Sequence, residues 1–414
     1  MSSPPPPPPR PQLPDDLIAE VLSWLPVKHL MRLRCVCKSW NTLIISDHTF
    51  IKLHLHRSAL HKPHLLLEWN DSIFTRSFCV THFSGSRLVE NPSIISLPDV
   101  TPKRDDIYTV VGSYNGLVCL NGCCDSAYSG LGREEWICFW NPATRLMSEK
   151  LGSCRVDNNS FIKYNFGYDH STNSYKVVKF VTTHLSNNVS IRIYILGDNV
   201  WRDIQNFPLL PLHLNCIGLK FWVHLSGTLN WITSRNESAS CYNRETITVE
   251  QLAILSLGLG TETCTLLSLP KGFDEVPCVL PSIGVLMDCL CFSHDLKKTH
   301  FVIWQMKKFG DAESWVQLLK ISYQDLQREP LDETPYTHYQ LVPLYLYNGD
   351  TFILASSGDD DDDDQAILYS KTANTVQRTA LTTTTTEKIL WFLASEYVES
   401  LVSPLRVGSS TTVA

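Results

Sequence analysis

Apolar residues keep a helical spacing only near the start of the chain. There they recur at intervals of one, three and four positions, which is the spacing of one helix face. These residues are Leu17, Ile18, Val21, Leu22 and Leu25. Pro26 follows directly and ends the helix, because proline lacks the amide donor that a further turn needs.

Shorter stretches of the same kind follow this first helix. They predict helices at residues 27–34 and 38–45, and a fourth helix that Asp47 can cap. Residues 13–60 are therefore predicted to form a small all-α N-terminal domain.

The pattern changes after about residue 63, where short alternating runs end in Gly, Asn or Pro. A turn followed by an apolar strand returns five times, at steps of 54 to 62 residues. The recurring strands are marked by Leu117, Tyr175, Leu229, Leu290 and Phe352. Such a repeat is typical of β-propeller blades, because one sheet alone cannot bury both faces whereas a ring of sheets can.

Each marker strand is followed by a second apolar strand and usually by a third. The second strands are predicted at residues 136–140, 191–196, 252–257, 300–306 and 366–370. The third strands are predicted at residues 200–204, 264–269, 315–321 and 376–381. A closed ring requires the strand-like run 397–402 to pair with the first sheet near residues 64–69, which gives about six blades. The predicted fold class is mainly β, with a three-helix all-α domain in front of a β-propeller.

Composition argues against several classes of partner. The net charge is −7, from 42 acidic and 35 basic residues, and no basic block is present that would neutralise nucleic-acid phosphates. The first residues do not have the apolar stretch of a signal peptide, and no long apolar run predicts a membrane-spanning helix. The 14 cysteines lack C-x-x-C spacing and mostly lie in apolar runs, so we expect reduced core thiols in the cytoplasm or nucleus.

Low-complexity segments complete the predicted domain map. Residues 1–12 form a Pro-rich tail and residues 406–414 a second disordered tail, on either side of a β domain at 61–405. The acidic run 359–364 and the threonine run 382–386 are interpreted as solvated loops.

No sequence signature for catalysis or cofactor binding is present. His54 and His56 lack a neighbouring acidic or cysteine partner, and Gly258 and Gly260 are not followed by the third glycine of a phosphate loop. We therefore expect no catalytic residue, no metal and no cofactor.

The segment 13–40 resembles the F-box. It opens with Leu13-Pro14-Asp15-Asp16-Leu17, continues with Leu25-Pro26-Val27-Lys28 and closes with Val36-Cys37-Lys38-Ser39-Trp40. The family pattern has Leu-Pro-x-(Asp/Glu)-Leu, Leu-Pro-Val-Lys and Val-(Cys/Ser)-Lys-x-Trp at these offsets. The match is specific, since it requires several fixed elements at once.

This resemblance implies a Skp-type adaptor as partner and, through it, cullin. The chain would then be the substrate-recognition subunit of an SCF-type (Skp-cullin-F-box) ubiquitin ligase. Three short helices expose apolar surface that a partner would cover. The expected adaptor-binding residues are Leu13, Pro14, Leu17, Ile18, Leu25, Pro26, Val36, Cys37 and Trp40. The pattern does not separate those that contact the adaptor from those that hold the helices together.

Downstream motifs resemble the F-box-associated, kelch-like domain of plant F-box proteins. They include residues 112–119, 140–144, 166–169 and 227–231. The resemblance implies a propeller that binds a target protein and a chain without catalytic activity. Within these motifs, Gly116 and the Asn141-Pro142-Ala143-Thr144 stretch have the chemistry of turns, so we interpret them as structural.

Two alternatives stay open beside the ligase subunit. One is an interaction protein that uses the F-box without degradation of a target. The other is a propeller enzyme, which would need paired acids or a metal cluster at the central channel. The strand pattern predicts few inward acids, and the substrate-binding residues stay unknown.

Overall fold

The structure is a computed structural model. It describes residues 13–60, 64–70, 76–84, 87–88, 93–95, 97, 106–124, 132–157, 160–183, 186–198, 200–205, 207–212, 214, 222–236, 242–326, 341–356, 365–379 and 388–405. Both predicted tails and the predicted acidic and threonine loops lie outside these ranges.

The N-terminal residues form the predicted helices. These are α1 (Asp15–Leu22), α2 (Val27–Leu33), α3 (Lys38–Ser46) and α4 (His48–Leu60). The Asp47 carboxylate accepts hydrogen bonds from the backbone amides of Thr49 and Phe50, at 2.8 and 2.9 Å, so the predicted cap is confirmed. The first helix ends at Leu22, earlier than Pro26, and the chain continues in tighter turns, with the Trp24 amide bonded to the Val21 carbonyl and the Leu25 amide to the Leu22 carbonyl.

The rest of the described chain forms antiparallel strands that assemble into successive sheets. Sheet 1 contains β1 (His64–Asn70), β2 (Arg76–Ser84), β3 (Arg87–Leu88) and β4 (Ser93–Ile95). Sheet 2 contains β5 (Asp106–Tyr114), β6 (Leu117–Cys124), β7 (Arg133–Asn141), β8 (Leu146–Met147) and β9 (Leu151–Val156). Sheet 3 contains β10 (Ser160–Asp169), β11 (Ser174–Thr183), β12 (Ser186–Ile195) and β13 (Trp201–Asp203).

The remaining sheets follow in chain order. Sheet 4 contains β14 (Trp222–Leu225), β15 (Thr228–Ser234), β16 (Leu252–Gly258) and β17 (Cys264–Leu267). Sheet 5 contains β18 (Ser282–Leu286), β19 (Cys289–Leu296), β20 (His300–Met306) and β21 (Trp315–Ser322). Sheet 6 contains β22 (Leu341–Tyr347), β23 (Thr351–Ser356), β24 (Gln365–Ser370) and β25 (Thr375–Thr379). The last strands, β26 (Lys388–Ile389) and β27 (Ser395–Tyr397), return to sheet 1.

The predicted repeat matches the observed strand order. Every marker residue lies in the second strand of its sheet and is buried, from Leu117 in β6 to Phe352 in β23. The predicted second and third strands correspond to the third and fourth strands of these sheets. The predicted strands therefore fall at the observed positions. Each sheet also has one strand before the marker strand, which the repeat did not include.

The two ends of the β domain meet in sheet 1. Strand β1 pairs with β2 on one side and with β26 and β27 on the other, with Leu65 opposite Glu396 and Leu66 opposite Ser395. The C-terminal part of the chain thus pairs with sheet 1 as predicted, but through residues 388–389 and 395–397. Of the predicted run 397–402 only Tyr397 takes part, because the residues beyond it run toward the helices.

Apolar clusters join each sheet to the next. The pairs of residues that share a cluster are Leu66 and Val118 for sheets 1 and 2, Phe139 and Phe166 for 2 and 3, Phe180 and Trp231 for 3 and 4, Ile254 and Phe292 for 4 and 5, Ile303 and Leu354 for 5 and 6, and Ile353 and Leu67 for 6 and 1. This succession of packed sheets is consistent with a propeller.

Short turns join the first strand to the second in four of these sheets, with two residues in sheets 2, 4 and 5 and three in sheet 6. The first two residues of each turn have positive φ, between 49° and 76°, as tight hairpin turns favour. The second residue is glycine in three cases, namely Gly116, Gly227 and Gly349. Sheet 5 differs, because its turn consists of Met287 and Asp288.

A buried ion pair ties sheet 3 to sheet 4. The Lys176 ammonium donates to the Asp169 carboxylate at 2.9 Å and to the Leu259 carbonyl at 2.7 Å. Burial opposes ionisation of Asp169, but hydrogen bonds from Ser171, Thr172 and Lys176 outweigh it and hold the pKa of Asp169 well below its usual value.

The substitution Asp169→Ala is expected to lower the free energy of unfolding by about 3–5 kcal/mol, because Lys176 would remain buried without a counter-charge. Asp203→Ala is the matched control. It removes an exposed partner of Arg192 in the same sheet and should cost less than about 1 kcal/mol. Urea denaturation of both variants measures the difference, and equal losses would contradict the assigned role of the buried pair.

Candidate functional site

The nine residues predicted to bind an adaptor fall into two groups. The exposed ones are Leu13, Pro14, Leu17, Pro26, Val36 and Cys37. The half-buried ones, which pack against the core of the helical domain, are Ile18, Leu25 and Trp40. The first group is open to solvent, whereas the second contributes to the core of the helical domain.

An exposed apolar stripe runs along the first helix. Leu17 and Val21, 52 and 64% exposed, lie four positions apart and share one side of α1. Leu13 before the helix and Trp24 after it are 66 and 49% exposed and add apolar surface at its two ends. The predicted apolar face is therefore covered at one edge only, because Leu22 is buried whereas Leu17 and Val21 are exposed. Val21 and Trp24 were missing from the predicted set, although their spacing from Leu17 was available in the sequence.

The turn between α2 and α3 lies beside the start of α1. The Cys37 thiol bonds to the Ser39 hydroxyl at 3.2 Å, which lowers the pKa of Cys37, whereas the nearby Asp15 carboxylate acts in the opposite direction. Val36, 63% exposed, precedes Cys37 in this turn. The turn therefore extends the exposed apolar stripe beyond α1.

The core of the helical domain is completed by the C-terminal segment. Leu401, only 5% exposed, shares a cluster with Leu22, Val27, Leu30 and Ile44. This contact was not predicted, because spacing within the chain carries no information about which distant residue fills a gap.

Hydrogen bonds fix the same segment to both domains. The Glu399 carboxylate accepts from the Val27 amide at the start of α2, at 3.3 Å. The Asn141 side-chain amide donates to the carbonyls of Ser400 and Val402 at 2.9 and 2.7 Å, and its oxygen accepts from the backbone of Ala143. Asn141 therefore holds a turn, as predicted, and also anchors the residues that reach the helices.

Six side chains, one from each sheet, converge where the first strands end. This inner-strand cluster consists of Glu396, Tyr114, Tyr168, His224, Asp288 and Tyr345, in the order of sheets 1 to 6. Within it the Tyr114 ring stacks on Tyr168 at 5.2 Å and meets the edge of His224 at 4.7 Å between ring centroids. Asp288 interacts electrostatically with Tyr114, Tyr345 and Glu396.

His224 in this cluster has a lowered pKa. Burial lowers the pKa to about 4, although a hydrogen bond with the Tyr168 backbone opposes the shift. Its Nε2 lies 3.1 Å from the Tyr168 amide nitrogen and 3.0 Å from the Tyr168 carbonyl oxygen. The pKa of Tyr345 is shifted upward, because burial and the nearby Glu396 carboxylate raise it to about 12.

The cluster also contains two acids. Glu396 is exposed, yet the surrounding protein and then the nearby Asp288 raise its pKa. The strand pattern predicted few inward acids and did not identify either of these two. Asp288 lies in a turn and Glu396 in a three-residue strand, so neither stands out in an alternating run.

Sequence comparison identifies both parts of the chain. Residues 86–404 match the family described as F-box associated beta propeller domain, and residues 11–52 match the F-box domain. The chain belongs to the F-box proteins with an F-box-associated β-propeller domain.

Plant proteins of this kind are similar over most of the chain. The F-box/kelch-repeat protein At3g23880 of Arabidopsis thaliana is 27% identical over 326 residues, which covers 75% of this chain and 79% of that protein. From the same plant, the putative F-box protein At1g33530 is 29% identical, over 73% of this chain and 61% of its own length. The F-box protein CPR1 is 24% identical, over 75% of this chain and 73% of its own length.

Membrane spans and metal clusters are both missing from the described ranges. No helix within them is long and apolar enough to cross a membrane. No group of three or more His, Cys, Asp or Glu side chains in these ranges is arranged to hold a metal ion. His54 is buried in the F-box, with its Nε2 3.0 Å from the Leu25 carbonyl.

Leu401→Ala is expected to loosen the F-box and to lower stability by about 2–5 kcal/mol, because it leaves a cavity in the helical core. Hydrogen exchange should become faster in α2 and α3. Leu405→Ala, at an exposed leucine nearby, is the control and should leave exchange unchanged. If both variants exchange alike, the C-terminal segment does not support the F-box.

Stability should also fall as the pH is lowered from 7 to 5. The unfolded chain binds a proton at His224 near the ordinary pKa of 6.5, whereas the native state does not until about pH 4. His224→Gln is expected to reduce this pH dependence, as measured by urea midpoints at both pH values. His56→Gln, on the exposed side of α4, should not. An unchanged slope in His224→Gln would contradict the assignment.

Proposed function

We propose that the chain is the substrate-recognition subunit of an SCF-type ubiquitin ligase. The F-box would dock a Skp-type adaptor, the adaptor would connect to cullin, and the propeller would hold a protein target. The exposed stripe of Leu13, Leu17, Val21 and Trp24 is the observation that carries this proposal. A contiguous apolar stripe of this kind on a short helix is stabilised when another protein covers it.

The two groups of predicted residues would then have different roles. The exposed Leu13, Pro14, Leu17, Pro26, Val36 and Cys37 would contact the adaptor. Ile18, Leu25 and Trp40 would keep the helices in place, since they already pack inside the F-box.

We further propose that the propeller is a closed ring of six blades. Two observations support this arrangement. The apolar clusters connect sheet 6 back to sheet 1, and one inner side chain from each sheet reaches a common cluster. Pairing with β27 would cover the edge of β1, and an uncovered strand edge promotes aggregation.

In this proposal the chain performs no chemistry itself. The cullin-bound ring-finger partner and its conjugating enzyme would transfer ubiquitin, while this chain supplies proximity, which raises the effective concentration of the target. A role in the cytoplasm or nucleus is part of the proposal. It is supported by the free thiols at all cysteines whose side chains the structure describes, among them the buried Cys119 and Cys291.

The double variant Leu17→Asp, Val36→Asp is expected to capture the adaptor at least about tenfold more weakly, because charges would replace exposed apolar contacts. Pull-down of purified adaptor by the full chain measures this change. Leu60→Asp is the matched control, since Leu60 is an equally exposed leucine at the end of α4. Undiminished capture by the double variant would refute the docking assignment. Normal capture with an unchanged target half-life would favour an interaction protein without degradation.

A further inference from the structure

A buried lysine of sheet 3 faces a cysteine of sheet 2. The Lys179 ammonium donates to the Cys154 sulfur at 3.4 Å, and the two residues belong to strands β11 and β9. We propose that this pair is an oxidation site, at which peroxide joins the cysteine sulfur to the lysine nitrogen by a reversible covalent bond. The inference is independent of the proposed function, since it concerns two groups inside the β domain and not its partners.

Lys179 lacks the partners that a buried ammonium requires. It is 2% exposed, and among the described residues its nitrogen donates to no oxygen atom. Its other contact is the Trp201 ring, whose centroid lies 4.2 Å away. Lys176 in the same strand is equally buried but has the Asp169 carboxylate and a carbonyl as acceptors. Because a buried charge is costly without such acceptors, Lys179 is placed for its contact with sulfur rather than for stability.

The acid on the neighbouring strand is already engaged. Glu135 on β7 lies directly opposite Cys154 in the strand pairing. Its carboxylate accepts from the Arg133 guanidinium at 2.6 Å and from the Tyr164 hydroxyl at 3.0 Å. Among the described residues no ion pair connects Glu135 to Lys179. The Cys154 sulfur is therefore the polar atom that the lysine nitrogen faces.

Trp201 on β13 keeps the nitrogen and the sulfur together. Its ring covers the Lys179 ammonium, and its Nε1 donates to the Gly152 carbonyl at 2.8 Å. Gly152 lies two residues before Cys154 in β9, and a Cβ at that position would collide with the tryptophan ring. One side chain thus fixes the strand that carries the cysteine and the lysine that faces it.

Cys154 is accessible to a small oxidant. It is half-buried in a strand that pairs with β7 at the side of sheet 2, and its neighbours Ser153 and Arg155 are exposed. Reactive cysteines lie in partly exposed surroundings next to positive groups, whereas fully buried ones are inert. Cys119, fully buried in β6 of the same sheet, is of the inert kind.

The proposed chemistry has two balanced steps. In the first, the thiol attacks hydrogen peroxide, the O–O bond breaks, and the products are a sulfenic acid and water. Sulfur is oxidised by two electrons and the peroxide is reduced. In the second, the ammonium releases one proton to solvent and the free amine attacks the sulfur. The S–N bond forms as the S–O bond breaks, and the departing hydroxide takes the second proton from nitrogen and leaves as water.

The product is a sulfenamide that links sheet 2 to sheet 3. Sulfenic acids are known to condense with nitrogen in this way, and the reaction is reversible. Two equivalents of a thiol reductant return the original thiol and amine and become a disulfide themselves. The link would join positions 25 residues apart, so it would restrict the unfolded chain as a disulfide does.

The test treats the full chain with hydrogen peroxide and maps the product by mass spectrometry. Digestion should release one pair of peptides joined through Cys154 and Lys179, lighter than the two separate peptides by two hydrogens. Dithiothreitol should separate the pair. The urea midpoint should rise after peroxide treatment and return after dithiothreitol, because the link restricts the unfolded chain.

Two variants remove the amine. Lys179→Met keeps an apolar stem against Trp201, and Lys179→Arg keeps the positive charge and serves if the first variant does not fold. Neither should give the joined peptides, and in both the sulfenic acid at Cys154 should react with dimedone. Labelling of wild-type Cys154 should be at least about tenfold lower, because the adjacent amine competes for the sulfur.

Cys264→Ser is the matched control. Cys264 is a half-buried thiol in sheet 4, and among the described residues no lysine nitrogen lies within hydrogen-bond distance of it. This variant should still form the link between Cys154 and Lys179, whereas Cys154→Ser should not.

Three results would overturn the inference. One is equal dimedone labelling of Cys154 in the wild type and in Lys179→Met, without joined peptides. Another is a Cys154 thiol that stays unmodified at peroxide concentrations that oxidise the exposed Cys37. The third is a joined pair of peptides that persists in Cys154→Ser, which would assign the link to other residues.

Discussion

Strand β27 and the residues just beyond it constrain both the β domain and the F-box. Ser395–Tyr397 complete sheet 1 through backbone hydrogen bonds, and Leu401 then enters the core of the F-box. Without this segment, β1 would present an unpaired edge and the short helices would enclose a cavity. The F-box and the propeller are therefore coupled, because one stretch of chain satisfies the backbone of one and the apolar core of the other.

The coupling determines how the two candidate surfaces are related. The apolar stripe on α1 and the inner-strand cluster differ in chemistry, since the first offers leucine, valine and tryptophan and the second offers tyrosines and carboxylates. Only a few residues separate Glu396, in the cluster, from Leu401, in the F-box core. The two surfaces are thus held in a defined relative orientation, which a flexible linker would not produce.

Features with a local cause were predictable from the sequence. The marker residues Leu117 and Phe352 gave the phase of the strands, because alternation and turn residues act over a few positions. Asp47 was recognisable as a helix cap for the same reason. The positions of Leu401 and Asp288 were not predictable, since their environments form only when distant sheets assemble. The split of α1 into an exposed and a buried side also depends on that assembly, because Leu401 helps decide which leucines are covered.

The hydrogen bond between Val27 and Glu399 joins residues 372 positions apart. A ribosome adds about 5–20 residues per second, so the helices leave it roughly 20 to 75 seconds before their last contacts exist. During this interval the nascent F-box lacks both Leu401 and the carboxylate at the start of α2. Completion of the F-box thus waits for translation of the end of the propeller, and a chain that stalls partway is left with an F-box that is not fully formed.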